Sequence, residues 1–600
     1  MAVRRAPRLQ AQYQNSTRPP IIDYLPHPLD LHKDDMPKPL TYVEQYQRRF
    51  SASFRDHWNW TEKLKDRTYF AKLLRDAQRE DRWLGNKKVL TWRKEDIKMV
   101  YDDLVKGYEP YVASLREEGS SIEPDIDCVW REDDFLDNDG LRLKLRTAMD
   151  ALRNIFFMSG EWRLTSEDQV TDFINPYCWP IVYGRSCISD TYDDIVVEPP
   201  NFKRGYYEKV LYSKKFCWLP SEFEVSSDGE STRIASYINN LALMPQERLL
   251  YPILEKIFTY FVPMFDRTLA DIEGRKYMCR RVRSPPSDPE IWKLPEETYK
   301  RRWERLLAQF QRGEKLQENF DSDSSGGELE DEDEDEDPVR ERRRSKPAPR
   351  QRYIRVRELA TYKRKIGRRW EPPELSKSTS LKGQTVKVVV RLMDINLPPR
   401  SPNFVTRGGW MVEGVLNERI VATGIYCYSQ RNIENAKIHF SVPIKENPKD
   451  KDWGLVHNLG MRADFQEVGA TSLKDNRAIT FPNLFSYRLD LPLKDYDRPG
   501  YCKFVIFYIC DPGHQIPTTR DIGPQQPDVR QEIDDLLAKR LPRELTAMIL
   551  GYLPPVVPES DAAALKEAFL KERSVPGFVF RTNDVDAGAD SGSDASFLEW

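Results

Sequence analysis

The chain has 600 residues, more than one hydrophobic core normally serves, so two domains joined by linkers are expected. Its 93 Lys and Arg against 96 Asp and Glu leave a net charge of -3, which gives no global electrostatic bias toward nucleic acid or an anionic membrane. No apolar run is long enough to cross a bilayer and Met1 to Gln14 lacks the apolar centre of a secretory signal, so an intracellular protein, cytoplasmic or nuclear, is expected.

Residues 1–50 are rich in Pro and Arg without periodicity and read as an extended arm. From 51 to 315 the character is helical: apolar residues recur at three- and four-residue intervals over Thr68 to Trp83, Lys94 to Leu115, Asp134 to Phe157 and Arg233 to Asp271. Between them, Tyr177-Cys178-Trp179-Pro180 and Phe216-Cys217-Trp218-Leu219-Pro220 read as packed loops or short strands. The paired acids Asp133-Asp134 and Asp193-Asp194 read as cap or surface residues. Eight cysteines form no C-x-x-C pair and meet no histidine at zinc spacing, so reduced, buried thiols are expected.

Residues 316–375 form an acidic and then basic linker. Asp321 to Asp337 holds 11 acids in 17 residues, too dense a charge to bury, which predicts a solvated, disordered segment. Two functional readings stand beside that one. Ser322, Ser324 and Ser325 precede acids in the manner of acidophilic kinase sites, and Arg342-Arg343-Arg344-Ser345-Lys346-Pro347 has the composition of a nuclear-import patch. Stretch 340–352 has no interleaved aromatics to stack bases, so nucleic acid is not an expected partner.

From 376 to 525 the period becomes two. Strands are predicted at Val386 to Val390, Trp410 to Leu416, Arg419 to Tyr428, Lys437 to Val442, Met461 to Val468, Arg477 to Phe481, Leu484 to Leu489 and Lys503 to Ile509. Short strands at this spacing predict an antiparallel jelly roll of the double-stranded β-helix kind, making the whole an α+β protein. Helical periodicity returns over 526–575, in 528–552 and Asp561 to Lys571, before an acidic, Gly/Ser-rich tail at 576–600. Phosphate-binding glycine loops, nucleophile elbows and kinase strings are not found in the sequence.

Several strings carry a resemblance. Gly408-Gly409-Trp410-Met411-Val412-Glu413-Gly414-Val415-Leu416-Asn417-Glu418, followed by Ile420-Val421-Ala422-Thr423-Gly424-Ile425-Tyr426, is similar to the fungal "domain of unknown function 4246" proteins. So are Phe481-Pro482-Asn483 with Arg488, Pro499-Gly500 with Lys503, Asp511-Pro512 with Ile516-Pro517, and upstream Ile188-Ser189-Asp190, Glu198-Pro199-Pro200 and Ser236-Tyr237-Ile238-Asn239-Asn240-Leu241. The resemblance spans residues 40 to 530. Typical members have His-Val-Glu after the tryptophan and His-Arg after the Phe-Pro-Asn, an arrangement that resembles the ligands of iron(II)/2-oxoglutarate oxygenases. Two imidazoles and one carboxylate hold iron on one face and leave room for the keto acid and dioxygen. A strand would present two of them at i and i+2 on one sheet face.

This chain has Met411 and Tyr487 where the resemblance implies histidines, and of the implied set keeps only Glu413. A thioether matches iron(II) poorly, and a phenol must lose a proton to bind it well. His439, His457 and His514 fall at neither position. The resemblance also implies a cation for the cosubstrate carboxylate. Cys502 replaces the family's arginine after Pro-Gly, which leaves Arg488 and Lys503 as candidates or as structural ion-pair partners. Three readings stay open. The first is an oxygenase-like fold without catalysis that binds a small molecule or protein in its barrel and needs no cofactor; the second is an active dioxygenase with an atypical metal set, using iron(II) and 2-oxoglutarate; the third is an interaction protein organised by the linker.

Overall fold

In the computed structural model the described residues are 25–278 and 369–573, apart from short internal stretches of which 160–168, 201–211, 242–248 and 446–464 are the longest, plus a few positions between 308 and 313. Residues 1–24, the linker from 316 to 368 with its serines and basic patch, the tail from 574, Gly408, Gly409, His457 and Cys279 lie outside them.

Helices α1 (Tyr42–Arg55), α2 (Trp60–Lys65), α3 (Arg67–Glu80), α4 (Lys94–Asp103) and α5 (Glu109–Glu117) form a helical cluster whose core includes Phe50, Phe54, Trp60, Phe70, Ile97 and Leu104. A single π turn over Leu104–Tyr108 joins α4 to α5, so the helix expected over Lys94 to Leu115 is continuous but under-wound at its centre. Helix α6 (Leu141–Ser159) and the long α7 (Leu250–Glu273) follow, then α8 (Pro527–Ala538), α9 (Arg543–Gly551) and α10 (Glu559–Arg573) near the C-terminal end. The helix expected from Arg233 starts seventeen residues later, because 232–234 is taken up as a strand.

Thirteen strands matter to the barrel: β1 (Ile122–Pro124), β2 (Trp130–Glu132), β3 (Val170–Ile174), β4 (Ser221–Val225), β5 (Thr232–Ile234), β6 (Thr385–Leu397), β7 (Asn403–Val405), β8 (Ile420–Arg431), β9 (Lys437–Pro443), β10 (Phe465–Ser472), β11 (Arg477–Pro482), β12 (Ser486–Pro492) and β13 (Gly500–Cys510). Among the described residues a nine-stranded sheet runs β5-β4-β6-β13-β8-β11-β2-β1, with β3 also paired to β6, and it faces a four-stranded sheet β7-β12-β9-β10. All these pairs are antiparallel. The fold is α+β with a jelly-roll-like pair of sheets. The region expected to be mainly helical contributes β1 to β5 to the same sheet as the jelly roll, so residues before and after the linker share one core.

The alternation of β6, Thr-Val-Lys-Val-Val-Val-Arg-Leu-Met-Asp-Ile-Asn-Leu, explains how two cores use one sheet, since successive side chains point to opposite faces. Val386, Val388, Val390 and Leu392 point outward and meet α7, whose Leu254, Phe258, Phe261, Phe265 and Leu269 lie at three- and four-residue spacing. Val389, Met393, Ile395 and Leu397 point inward, against Ile438, Phe440, Leu489 and Leu491 of the smaller sheet. Gly424 on β8 is where α7 comes closest: a Cβ there would stand 2.7 Å from Phe265 and 2.9 Å from Phe261. The seven described cysteines are free, and six of them are buried.

Candidate functional site

The segment expected to be a strand at Trp410 to Leu416 is one only at Met411. Met411 pairs with Tyr487 of β12 through reciprocal backbone bonds, each 2.9 Å, and the chain then leaves the sheet. Gly414 turns it with a φ of 67°, in the left-handed region that glycine enters without a Cβ penalty. Asn483, of the Phe-Pro-Asn string, fastens this excursion to the main sheet. Its Nδ2 donates to the carbonyls of Glu413 (2.7 Å) and Ile420 (3.0 Å), and its Oδ1 accepts from the Glu413 N–H at 3.1 Å. Glu418 completes the turn: Oε2 accepts from Val415 N–H at 2.7 Å, while Oε1 accepts from Trp218 N–H at 2.9 Å and from Arg573 at 2.8 Å.

The backbone so fixed brings Glu413 against two phenols. The Tyr487 hydroxyl donates to Glu413 Oε1, and the Tyr508 hydroxyl of β13 donates to the same oxygen at 3.2 Å. Oε2 makes no hydrogen bond with a described residue, and Glu413 keeps 7% of its surface exposed. Burial first, and the nearby Glu413 second, push the Tyr487 and Tyr508 hydroxyls well above the ordinary phenol range, so both remain protonated donors. Tyr177 is pushed up to about 12 by the same two causes.

Aromatic rings wall the site. Trp218 leans on Tyr508 with centroids 5.4 Å apart and meets Tyr177 edge-on at 5.6 Å, while Tyr487 meets Phe481 edge-on at 5.3 Å. Phe569 of α10 closes this end, stacking on Phe216 at 4.9 Å and meeting Tyr177 at 5.0 Å. The indole N–H of Trp218 is buried without a hydrogen-bond partner among the described residues.

One charged side chain of the inner face escaped the sequence reading. Arg391, between Val389 and Met393 on β6, bonds Asp172 of β3 through Nε (2.7 Å) and Nη2 (3.0 Å). Its charge acts on both Tyr508 and Glu413. Its side chain keeps 20% of its surface exposed and that of Asp172 keeps 14%, so the inner face is not sealed around them. A sequence clue existed: Arg391 interrupts an apolar run at a position whose i±2 neighbours are both apolar and inward.

The two cations proposed for a cosubstrate carboxylate stand elsewhere, which corrects their placement. Arg488 follows Tyr487, so alternation turns it to the outer face of the smaller sheet, over the Trp410 ring at 5.2 Å. Lys503 likewise falls on the helix-facing side of β13, where its nearest acid is Asp150 at 4.0 Å and Asp394 also acts on it. Met411, Glu413 and Tyr487 are thus brought together, and Arg488 and Lys503 are not. Of the described histidines in this region, His439 pairs with Glu467 at 3.1 Å on the outer face of β9, and His514 bonds the Asn417 carbonyl at 2.7 Å. Among the described residues no group of three or more His, Cys, Asp or Glu side chains stands close enough to hold a metal ion. No described helix is long and apolar enough to cross a membrane.

Residues 95–533 match the family described as "Protein of unknown function (DUF4246)". No curated protein is similar enough to count as a relative. Among solved structures, an Fe(II)/(alpha)ketoglutarate-dependent dioxygenase, TqaL, aligns at 10% identity over 22% of this chain and 43% of its own, with a TM-score of 0.15. The chain therefore spans less than half of that protein, and so slight an overlap carries no weight for fold or chemistry.

Proposed function

The chain belongs to the DUF4246 family, whose description specifies no activity, and from the site itself we propose that it acts by binding a small molecule in the barrel rather than by oxygenase chemistry. The observation that carries this reading is the state of the Glu413 carboxylate, whose Oε1 is occupied by hydrogen bonds from two neutral phenols. The residues do not fit the iron(II) centre that the resemblance implies. Met411 offers a thioether, Tyr487 is held protonated, and a single carboxylate is a weak hold on a hard divalent ion.

The surroundings support a ligand with an apolar body and one hydrogen-bond donor, a hydroxyl or an ammonium. Tyr177 and Met411, both half-buried, supply apolar surface, with Trp218, Tyr508 and Phe481 packed behind them, and Glu413 Oε2 is the acceptor left over. Arg391 is already neutralised by Asp172, and its charge acts on Tyr508.

The reading is tested by supplying the full-length protein with iron(II), ascorbate and 2-oxoglutarate in air and measuring succinate. No succinate above a protein-free blank is expected. Sustained succinate production that is lost in Glu413→Gln would overturn it.

A further inference from the structure

Away from the barrel interior, three segments distant in sequence meet at one end of the main sheet. The end of β6 with Arg400 just beyond it, Arg431-Asn432 at the end of β8, and the loop Lys494 to Tyr501 leading into β13 line an open cavity of about 1150 Å³. That is above the range of roughly 300–1,000 Å³ usual for compact ligands, which favours an extended one.

The loop is built rather than loose. Asn432, at a φ of 54°, sends its Nδ2 to the carbonyls of Asp495 (2.9 Å) and Arg498 (2.7 Å), and its Oδ1 accepts from Asp495 N–H at 2.9 Å. Gly500 lies so close beneath that a Cβ would stand 2.9 Å from the Arg431 carbonyl and 2.8 Å from that of Asn432. A rigid scaffold carrying a fixed loop is the usual foundation of a binding site.

What this scaffold displays is cationic. Arg400, Arg431 and Lys494 have no ion-pair partner among the described residues, and Arg498 is only loosely paired with Asp495 at 3.4 Å. With Asp497 the sole further acid, the lining carries four cations against two acids, a net +2. An exposed aromatic completes it, since Tyr496 stands 56% exposed between the charges. Arginine forks match phosphate oxygens in pairs, and a solvent-facing ring stacks on a planar base.

We propose that this cavity binds phosphates linked to a planar base, with Arg400, Arg431 and Lys494 on the phosphates and Tyr496 under the base. A free nucleoside polyphosphate and a single nucleic-acid strand share that chemistry. The proposal is independent of the barrel reading. It also differs from the expectation drawn from 340–352, because the cations here come from positions far apart in sequence.

The test uses the full-length protein and fluorescence anisotropy with a labelled ten-nucleotide single strand, with ATP and inorganic triphosphate as competitors. Micromolar competition by ATP assigns the site to the free nucleotide; binding of the strand that ATP fails to displace assigns it to nucleic acid. For the strand, three phosphate contacts predict a slope of log affinity against log salt of about -2, falling toward zero in Arg400→Ala/Arg431→Ala/Lys494→Ala. Tyr496→Ala should weaken the base-bearing ligand by about tenfold and leave triphosphate unchanged. These side chains are exposed, so the melting temperature serves as the control for folding, with Lys494→Ala as the milder variant. Absence of binding to every phosphate probe, affinity unchanged in the folded triple variant, or equal affinity for poly-glutamate would overturn the proposal.

Discussion

Glu413 shows what one side chain decides. A buried carboxylate needs donors, and here they are phenols at the end of two different strands, so replacing a phenol leaves an acceptor short rather than a cavity. Tyr487→Phe is expected to cost about 1–3 kcal/mol of unfolding free energy. Urea titration checks it: an unchanged midpoint would mean that the carboxylate is satisfied otherwise. Asp271 is the second residue with a measurable signature. Its carboxyl is 4% exposed, accepts from the Trp130 indole at 2.8 Å, and burial raises its pKa from 3.8 to about 7. Because the folded state holds this proton more tightly than the unfolded chain, its contribution is fully present below about pH 4 and is lost as pH rises through about 7. Asp271→Asn should therefore match the parent near pH 4 and exceed it at pH 8, by at most roughly 4 kcal/mol. A stability difference that does not change between these pH values would contradict the assignment.

At this scale the site was half legible. Met411, Glu413 and Tyr487 could be named because the strings around them are long and distinctive. Tyr508, Arg391, Asp172, Tyr177 and Trp218 could not, because each lies alone on its own strand or loop and only strand pairing aligns them. In the register, Tyr508 stands opposite Val389 on one side and Thr423 on the other, which places it on the inward row. Arg488 and Lys503 were misplaced for a related reason: one residue along a strand exchanges the faces.

At the scale of elements, α7 and β8 fit because Gly424 has no side chain. Gly424→Ala would push a methyl into Phe261 and Phe265 and is expected to cost about 1–3 kcal/mol, read as a lower melting temperature. No loss would mean that α7 stands off the sheet. Asn483 ties the Met411–Gly414 excursion to β8 through three side-chain bonds, so Asn483→Ala should cost about 2–4 kcal/mol. In hydrogen exchange it should expose the amides of 411–415 selectively; uniform exchange across the barrel would count against a local clasp. Most strands were predicted within a few residues, since their alternation is strong. The 410–416 strand failed because apolar and β-branched residues there serve a turn whose partners, Asn483 and Glu418, are remote or follow it.

The whole molecule holds together across the linker. Arg477 of β11, with a side chain 0% exposed, bonds Asp133 and, at 2.7 Å, Asp56, while Arg131 of β2 reaches Glu123, Asp125 and Asp56. These pairs, whose arginines are buried, join the end of α1, β1, β2 and β11, and Asp133, exposed as the sequence reading expected, supplies one of the acids. The composition break at 316–375 suggested two separate units, because periodicity cannot reveal that short strands before it complete a sheet after it. A fragment covering 369–573 alone, lacking α7 and β1 to β5, is expected to expose the outer face of its sheet and bind a hydrophobic dye, and to regain cooperative unfolding when co-expressed with 25–278. Independent cooperative folding of the fragment would restore the two-domain picture.

The central claim is that the barrel site answers its carboxylate with phenol protons in place of a metal. Iron per chain after anaerobic equilibrium dialysis against iron(II) tests it most directly, comparing the parent with Met411→His/Tyr487→His. Substoichiometric iron in the parent and about one iron per chain in the double variant is the predicted result; one iron per chain in the parent, lost in Glu413→Gln, would contradict it.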